Sequence, residues 1–171
     1  SGTYSLPRSL WLGKDGTLRI RPVEELKSLR INEKSFKNLK VNPETKINLD
    51  DFNSGLMELE VIIEPNEAHK FGLEIGVSED GLEKTVIYYD SLENRIVVDN
   101  RDSGLDLGNK IVEKAPLKLK VNENINLRVF IDNSIIEVFA NDRQAICRRI
   151  YPEKKGNGLN LFSIGGDINV K

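Results

Sequence analysis

Apolar side chains recur at every second position over Ile125, Leu127, Val129 and Ile131, with Asn126, Arg128 and Asp132 between them. That is the period of a strand with one buried face, and Phe130 is the residue that interrupts its polar side. Asp132, Asn133 and Ser134 are small residues that bond their own backbone and suit a tight reversal, after which Ile135 to Ala140 resumes the extended pattern. A second reversal at Asn141, Asp142 and Arg143 leads into Gln144 to Ile150, where Pro152 ends the pairing. The spacing predicts a three-stranded antiparallel meander.

The rest of the chain repeats this grammar in shorter phrases. Tyr4 to Leu12 and Thr17 to Arg21 form a hairpin about the turn Gly13-Lys14-Asp15-Gly16. Pro22 followed by Val23, Glu24, Glu25 and Leu26 is the one stretch that reads as helix, a turn or two near residues 22–27. Brief strands follow Leu29, and Leu56 to Ile63 is apolar enough for a sheet interior, closed by Pro65-Asn66-Glu67. Phe71, Leu73, Ile75 and Val77 alternate with Gly72, Glu74, Gly76 and Ser78, and the glycines imply that another group lies close over that face. Thr85 to Tyr89 pairs with Arg95 to Asp99, Arg101 to Lys114 reads as a surface loop, and Leu117, Leu119 and Val121 alternate again. Gly158 to Ile164 and Ile168 to Val170 supply the last strands. Many short strands with almost no helix predict an all-β fold, a two-layer antiparallel β-sandwich of jelly-roll or concanavalin-like type, formed as a single domain over residues 1–171.

Composition narrows the function classes. At 171 residues the chain is long enough to bury a core without disulfides or metals. The 25 basic and 27 acidic residues leave a net charge of −2, which offers no general pull toward nucleic acid or anionic lipid, and no apolar run has the length of a bilayer span. A single cysteine, Cys147, permits no intrachain disulfide and leaves the compartment open. The chain opens on Ser1-Gly2-Thr3 without an initiator Met or a basic-then-apolar leader, which reads as a piece of a longer protein.

Candidate chemistry is sparse. The one histidine, His69, sits in a loop-like stretch and reads as exposed rather than catalytic. No Cys-x-x-Cys or paired His spacing suggests a metal, Asp15-Gly16 and Asp50-Asp51 lack the spacing of a calcium loop, and no glycine loop suits a phosphate, so neither metal nor cofactor is expected. Glu137 reads as the solvent-side residue of a half-buried strand, and Asp132 as a turn former. Trp11, between Leu10 and Leu12, is expected in a core or a domain interface. Tyr88 and Tyr89 are adjacent on a strand, so one ring must face outward, and they are the candidates for a weak carbohydrate site.

Four stretches carry a resemblance: Ser5-Leu6-Pro7-Arg8 with Arg21 to Leu26; Gly72 to Gly81; Tyr89-Asp90 through Asp99 to Gly104; and Leu127 to Pro152. The last contains Asp132, Ser134, Glu137 and Phe139 in the pattern Asp-x-Ser-x-x-Glu-x-Phe. The chain resembles the C-terminal β-sandwich module of glycoside hydrolase family 32, the family of invertases, levanases, inulinases and sucrose-6-phosphate hydrolases. The resemblance implies a catalytic β-propeller on the N-terminal side. The family's nucleophile, acid and stabiliser motifs do not occur: Arg101-Asp102 precedes Ser103 rather than Pro, and Cys147 follows Ile146 rather than Glu. Arg143 stands where relatives often have Gly. The expectation is a noncatalytic module, inactive alone, of a hydrolase acting on sucrose, levan or inulin. Its alternatives are a fructan-binding or an oligomerisation module. The partners expected are the propeller, contacted through Tyr4, Leu6 and Trp11, with a fructan or sucrose-type sugar or a second copy of the chain left open.

Overall fold

The computed structural model describes residues 4–49, 55–154 and 156–171, so Ser1 to Thr3 and the Asp50-Asp51 pair lie outside it. In chain order the strands are β1 (Arg8–Leu12), β2 (Leu18–Pro22), β3 (Leu39–Val41), β4 (Ile47–Asn48), β5 (Leu56–Glu64), β6 (Lys70–Val77), β7 (Thr85–Asp90), β8 (Arg95–Asp99), β9 (Val112–Pro116), β10 (Ile125–Asp132), β11 (Ile135–Ala140), β12 (Gln144–Arg149), β13 (Gly158–Ile164) and β14 (Ile168–Val170). Two six-stranded antiparallel sheets form the sandwich. The first runs β12-β11-β10-β5-β14-β3, the second β4-β13-β6-β7-β8-β9, and β1 and β2 form a separate hairpin.

The alternation read from the sequence is the alternation of burial. Ile125, Leu127, Val129 and Ile131 on β10 point inward beside Ile136 and Val138 of β11, and meet Phe71, Leu73, Ile75, Ile87 and Tyr89 of the facing sheet. Because side chains change face at each residue, a slip of one position in the β10–β5 ladder, which sets Val129 opposite Leu59, would turn this whole apolar set to water. The turn between β11 and β12 places Asn141 and Asp142 at positive φ, 50° and 52°. They are the two central residues of the turn that the Arg143 N–H closes on the Ala140 carbonyl at 2.9 Å, so Arg143 needs no glycine-like backbone. Its guanidinium instead bonds the Lys118 carbonyl and the Glu123 carboxylate.

The helical turn expected near residues 22–27 is present, while two other stretches differ from the sequence reading. The helical turn is a 3-10 helix at Glu24–Leu29, with Glu24 and Glu25 at its positive end. The stretch read as a loop over Arg101 to Lys114 ends in strand β9, while Leu117 to Val121 forms no strand. Edge strand β9 carries little apolar signal because only β8 pairs with it, from Arg95 opposite Pro116 to Asp99 opposite Val112. Pro116 closes that ladder, and beyond it Leu117 is buried while Val121 is exposed. The remaining loop is tied down by buried Asn100, whose amide donates to the Asn109 and Arg149 carbonyls and accepts the Ile111 N–H.

An open cleft and a buried clamp on opposite faces

On the outer face of the second sheet, Phe162 of β13, Gly72 of β6 and Tyr88 of β7 stand side by side in the ladder. A Cβ at Gly72 would lie 2.0 Å from the Ile87 carbonyl oxygen and 2.7 Å from the Tyr88 Cα, so no side chain fits there. The rings on either side close toward each other over the glycine, 6.4 Å between centroids and edge to face. The close approach expected at the glycines of β6 is thus found at Gly72, whereas Gly76 has open space where a Cβ would lie and instead takes a positive φ of 65°.

The aromatic pair is the floor of a cleft of about 400 Å³, walled by Pro43 to Lys46 and by Ile164. Glu74 lies at one end, accepting Lys46 Nζ at 2.8 Å and Asn160 Nδ2 at 2.9 Å. Burial works to raise its pKa, but those two donors outweigh it and hold the carboxyl below the usual range. At the other end Lys70 Nζ lies 3.3 Å from Asp90 and 5.9 Å from the centre of the Tyr88 ring. Burial also opposes ionisation of Asp90, and the Glu93 and Leu92 N–H groups together with Lys70 overcome it, again lowering the pKa.

Of the two candidate tyrosines, Tyr88 alone faces this cleft. Tyr89 points the other way, 2% exposed, its ring 5.7 Å from Phe71 in the core. Sequence reasoning reached Tyr88 but missed Phe162, Glu74 and Lys70. A signal was there: Phe162 occupies an outward position between inward Leu161 and Ser163, where an exposed strand face rarely carries a phenylalanine.

The outer face of the first sheet is built differently. Glu137 on β11 is 2% exposed, which corrects the expectation of a solvent-side residue. The N-terminal segment crosses over it: Leu6 N–H donates to Glu137 Oε1 at 2.6 Å and Arg8 Nη2 to Oε2 at 2.7 Å. Arg8 also lies over the ring of Phe139, which meets Phe130 edge to face at 6.1 Å. Phe130 breaks the polar alternation of β10 because this outward position is itself part of a packed layer. Farther along, Arg30 and Arg128 share Glu58.

Glu137 thus anchors the hairpin, and the Ile20 N–H bond to the Asp142 carbonyl, 2.8 Å, holds its second strand. The face of the hairpin that carries Arg8 and Pro22 continues into Leu10, Leu12 and Leu18, which are 60%, 71% and 60% exposed. Trp11 is on the opposite face against Arg21, 37% exposed, so it takes no part in the core. Tyr4 is fully open and Leu6 half-buried. His69 is exposed, Asp132 accepts its neighbour Asn133 in the turn, and no group of three metal-binding side chains exists among the described residues.

Comparison with known proteins agrees with this architecture. Residues 25–171 match the family described as "Glycosyl hydrolases family 32 C terminal". The levanase of Bacillus subtilis (strain 168) is 35% identical over 178 residues, covering 98% of this chain and 26% of the levanase. The sucrose-6-phosphate hydrolase of Zymomonas mobilis is 32% identical, covering 97% and 32%. Among solved structures, fructan 1-exohydrolase IIa of Cichorium intybus in complex with 1-kestose superposes with a TM-score of 0.85 at 22% identity, over 97% of this chain and 39% of that one. Exo-inulinase of Aspergillus awamori gives 0.83 at 20%, over 97% and 35%. The chain therefore spans only about a quarter to two-fifths of these relatives. The two-sheet sandwich and the match over residues 25–171 agree: this chain belongs to glycosyl hydrolases family 32, as the family's C-terminal domain.

Proposed function

We propose that this chain is the noncatalytic β-sandwich of a hydrolase of β-fructofuranosides and that it braces a catalytic β-propeller on its N-terminal side. The observation that carries the reading is the hairpin, anchored to the sandwich through Glu137 while Leu10, Leu12 and Leu18 remain open to a neighbour. Apolar side chains presented together on an anchored two-stranded arm fit a covering surface better than they fit water. Tyr4 and Leu6 lead into this arm and Trp11 lies on its opposite face, so a neighbour that wraps the hairpin would reach them as well.

The carboxylates support the noncatalytic part. Glycoside hydrolysis needs a pair in which one carboxyl stays protonated near neutral pH. Here the buried carboxylates among the described residues, Glu74, Asp90 and Glu137, are each held by a cation of their own. A second reading, carbohydrate binding, is favoured by the cleft around Tyr88; Tyr89 is committed to the core. Incubation of the purified chain with sucrose, inulin and levan is expected to release no fructose, and steady release by a clean preparation overturns the noncatalytic assignment.

A further inference from the structure

The cleft over Gly72 combines two features that together select a ligand. Its floor is apolar, made by the Tyr88 and Phe162 rings, which the missing Cβ of Gly72 allows to converge edge to face so that each ring offers its own surface. Its rim is polar and balanced, since the carboxylates of Glu44 and Glu74 are matched by the ammonium groups of Lys46 and Lys70. An anion or a cation gains little from a rim without net charge, and a wholly apolar ligand would leave those groups dry and unpaired. A neutral polyol ring answers both demands, with C–H bonds against the aromatic floor and hydroxyls toward the rim.

We propose that this cleft is a sugar subsite that takes one ring of a neutral fructo-oligosaccharide, stacked on Tyr88 and hydrogen-bonded by Glu74 and Lys70. The proposal rests on the carbohydrate reading above and on the parent's proposed substrate class for the choice of sugar. Glu74 is already poised to accept hydroxyls, because Lys46 and Asn160 each occupy one lone pair of its two oxygens and further acceptor sites remain. Lys70 directs one of its three donors to Asp90. The cleft lies on the second sheet, whereas the hairpin is anchored on the first, so a docked neighbour on the hairpin does not require the cleft to close. The module then holds substrate on one side while it braces the propeller on the other.

An NMR titration of the 171-residue chain with fructo-oligosaccharides and, separately, with inorganic phosphate tests the assignment. Millimolar sugar is expected to shift the amides of Lys70 to Glu74, Val86 to Asp90 and Asn160 to Ile164, and phosphate to leave them in place. Tyr88→Ala should weaken binding roughly tenfold while Tyr88→Phe keeps it within about threefold, as expected for an aromatic anchor. Lys70→Met should weaken it roughly threefold, and because this variant leaves buried Asp90 to the Leu92 and Glu93 N–H groups, unshifted amides on the first sheet serve as the check that it is folded. If the wild-type chain binds the sugar and Tyr88→Ala and Lys70→Met bind equally well, the cleft assignment falls while the carbohydrate reading stands. No shift at millimolar sugar overturns both, and shifts with phosphate alone overturn the neutral-sugar assignment.

Discussion

The two outer faces of this sandwich begin from the same sequence rule and end as different surfaces. On the first sheet, outward Glu137 and Phe139 are overlaid by the N-terminal segment and behave as interior, with the carboxylate paired and Phe130 packed against the Phe139 ring. On the second, outward Tyr88 and Phe162 close over Gly72 and leave their upper side open as a cleft. In a sandwich the inward half of the alternation is committed to the core, so the outward half is where a module can specialise. A polar outward residue that becomes covered must then bring its partner with it, as Glu137 brings Arg8.

This contrast can be broken from either face. The largest effect is expected at Gly72→Ala, because the new Cβ would strike the Ile87 carbonyl and the ladder between β6 and β7 must shift. A loss of about 4 kcal/mol, in the range of backbone strain within a packed element, should appear in urea unfolding; an unchanged midpoint would mean the ring pair does not depend on the glycine. On the covered face, Glu137→Ala strands the Arg8 guanidinium and the Leu6 N–H, at a cost of about 3 kcal/mol, since removing one partner of a buried pair leaves the other uncompensated. Glu137→Gln keeps one acceptor and should lose less, and equal losses for the two variants would argue against the clamp.

Glu74→Gln on the open face is expected to be milder, about 1 kcal/mol at neutral pH, by weakening the bonds from Lys46 and Asn160. The pH dependence carries the sign. The folded pKa of Glu74 lies below its unfolded value, so its contribution is complete above the unfolded pKa and disappears as pH falls through the folded one. The gap in stability between wild type and Glu74→Gln should therefore shrink in acid. A gap that widens there would contradict the ion pair.

Most of the fold was legible because strand period and turn chemistry are local signals. The β10–β11–β12 meander is visible in Ile125 to Arg149, where each turn carries its own Asn or Asp and positive φ falls at Asn133, Asn141 and Asp142. Edge strand β9 was not legible, since Val112 to Pro116 buries little and its pairing with β8 is decided across a long loop. The site divided in the same way. Period alone says that one of Tyr88 and Tyr89 faces outward, and the structure identifies Tyr88. The role of Glu137 depends on Leu6 and Arg8, far away in the chain, so a strand pattern confined to β11 reads it as solvated.

The ladder between β5 and β10 joins Ile63 to Ile125 and Leu56 to Asp132, and the chain between them builds β6 to β9 of the opposite sheet. Pairing β5 with β10 therefore closes a very long loop, at the corresponding cost in chain entropy. Self-assembly of such a fold belongs on the millisecond-to-second scale typical of non-local β architectures. Severing the backbone in the 100–111 connection would leave two pieces interlocked through that ladder, so proteolytic nicking there should yield a complex that stays together until denatured.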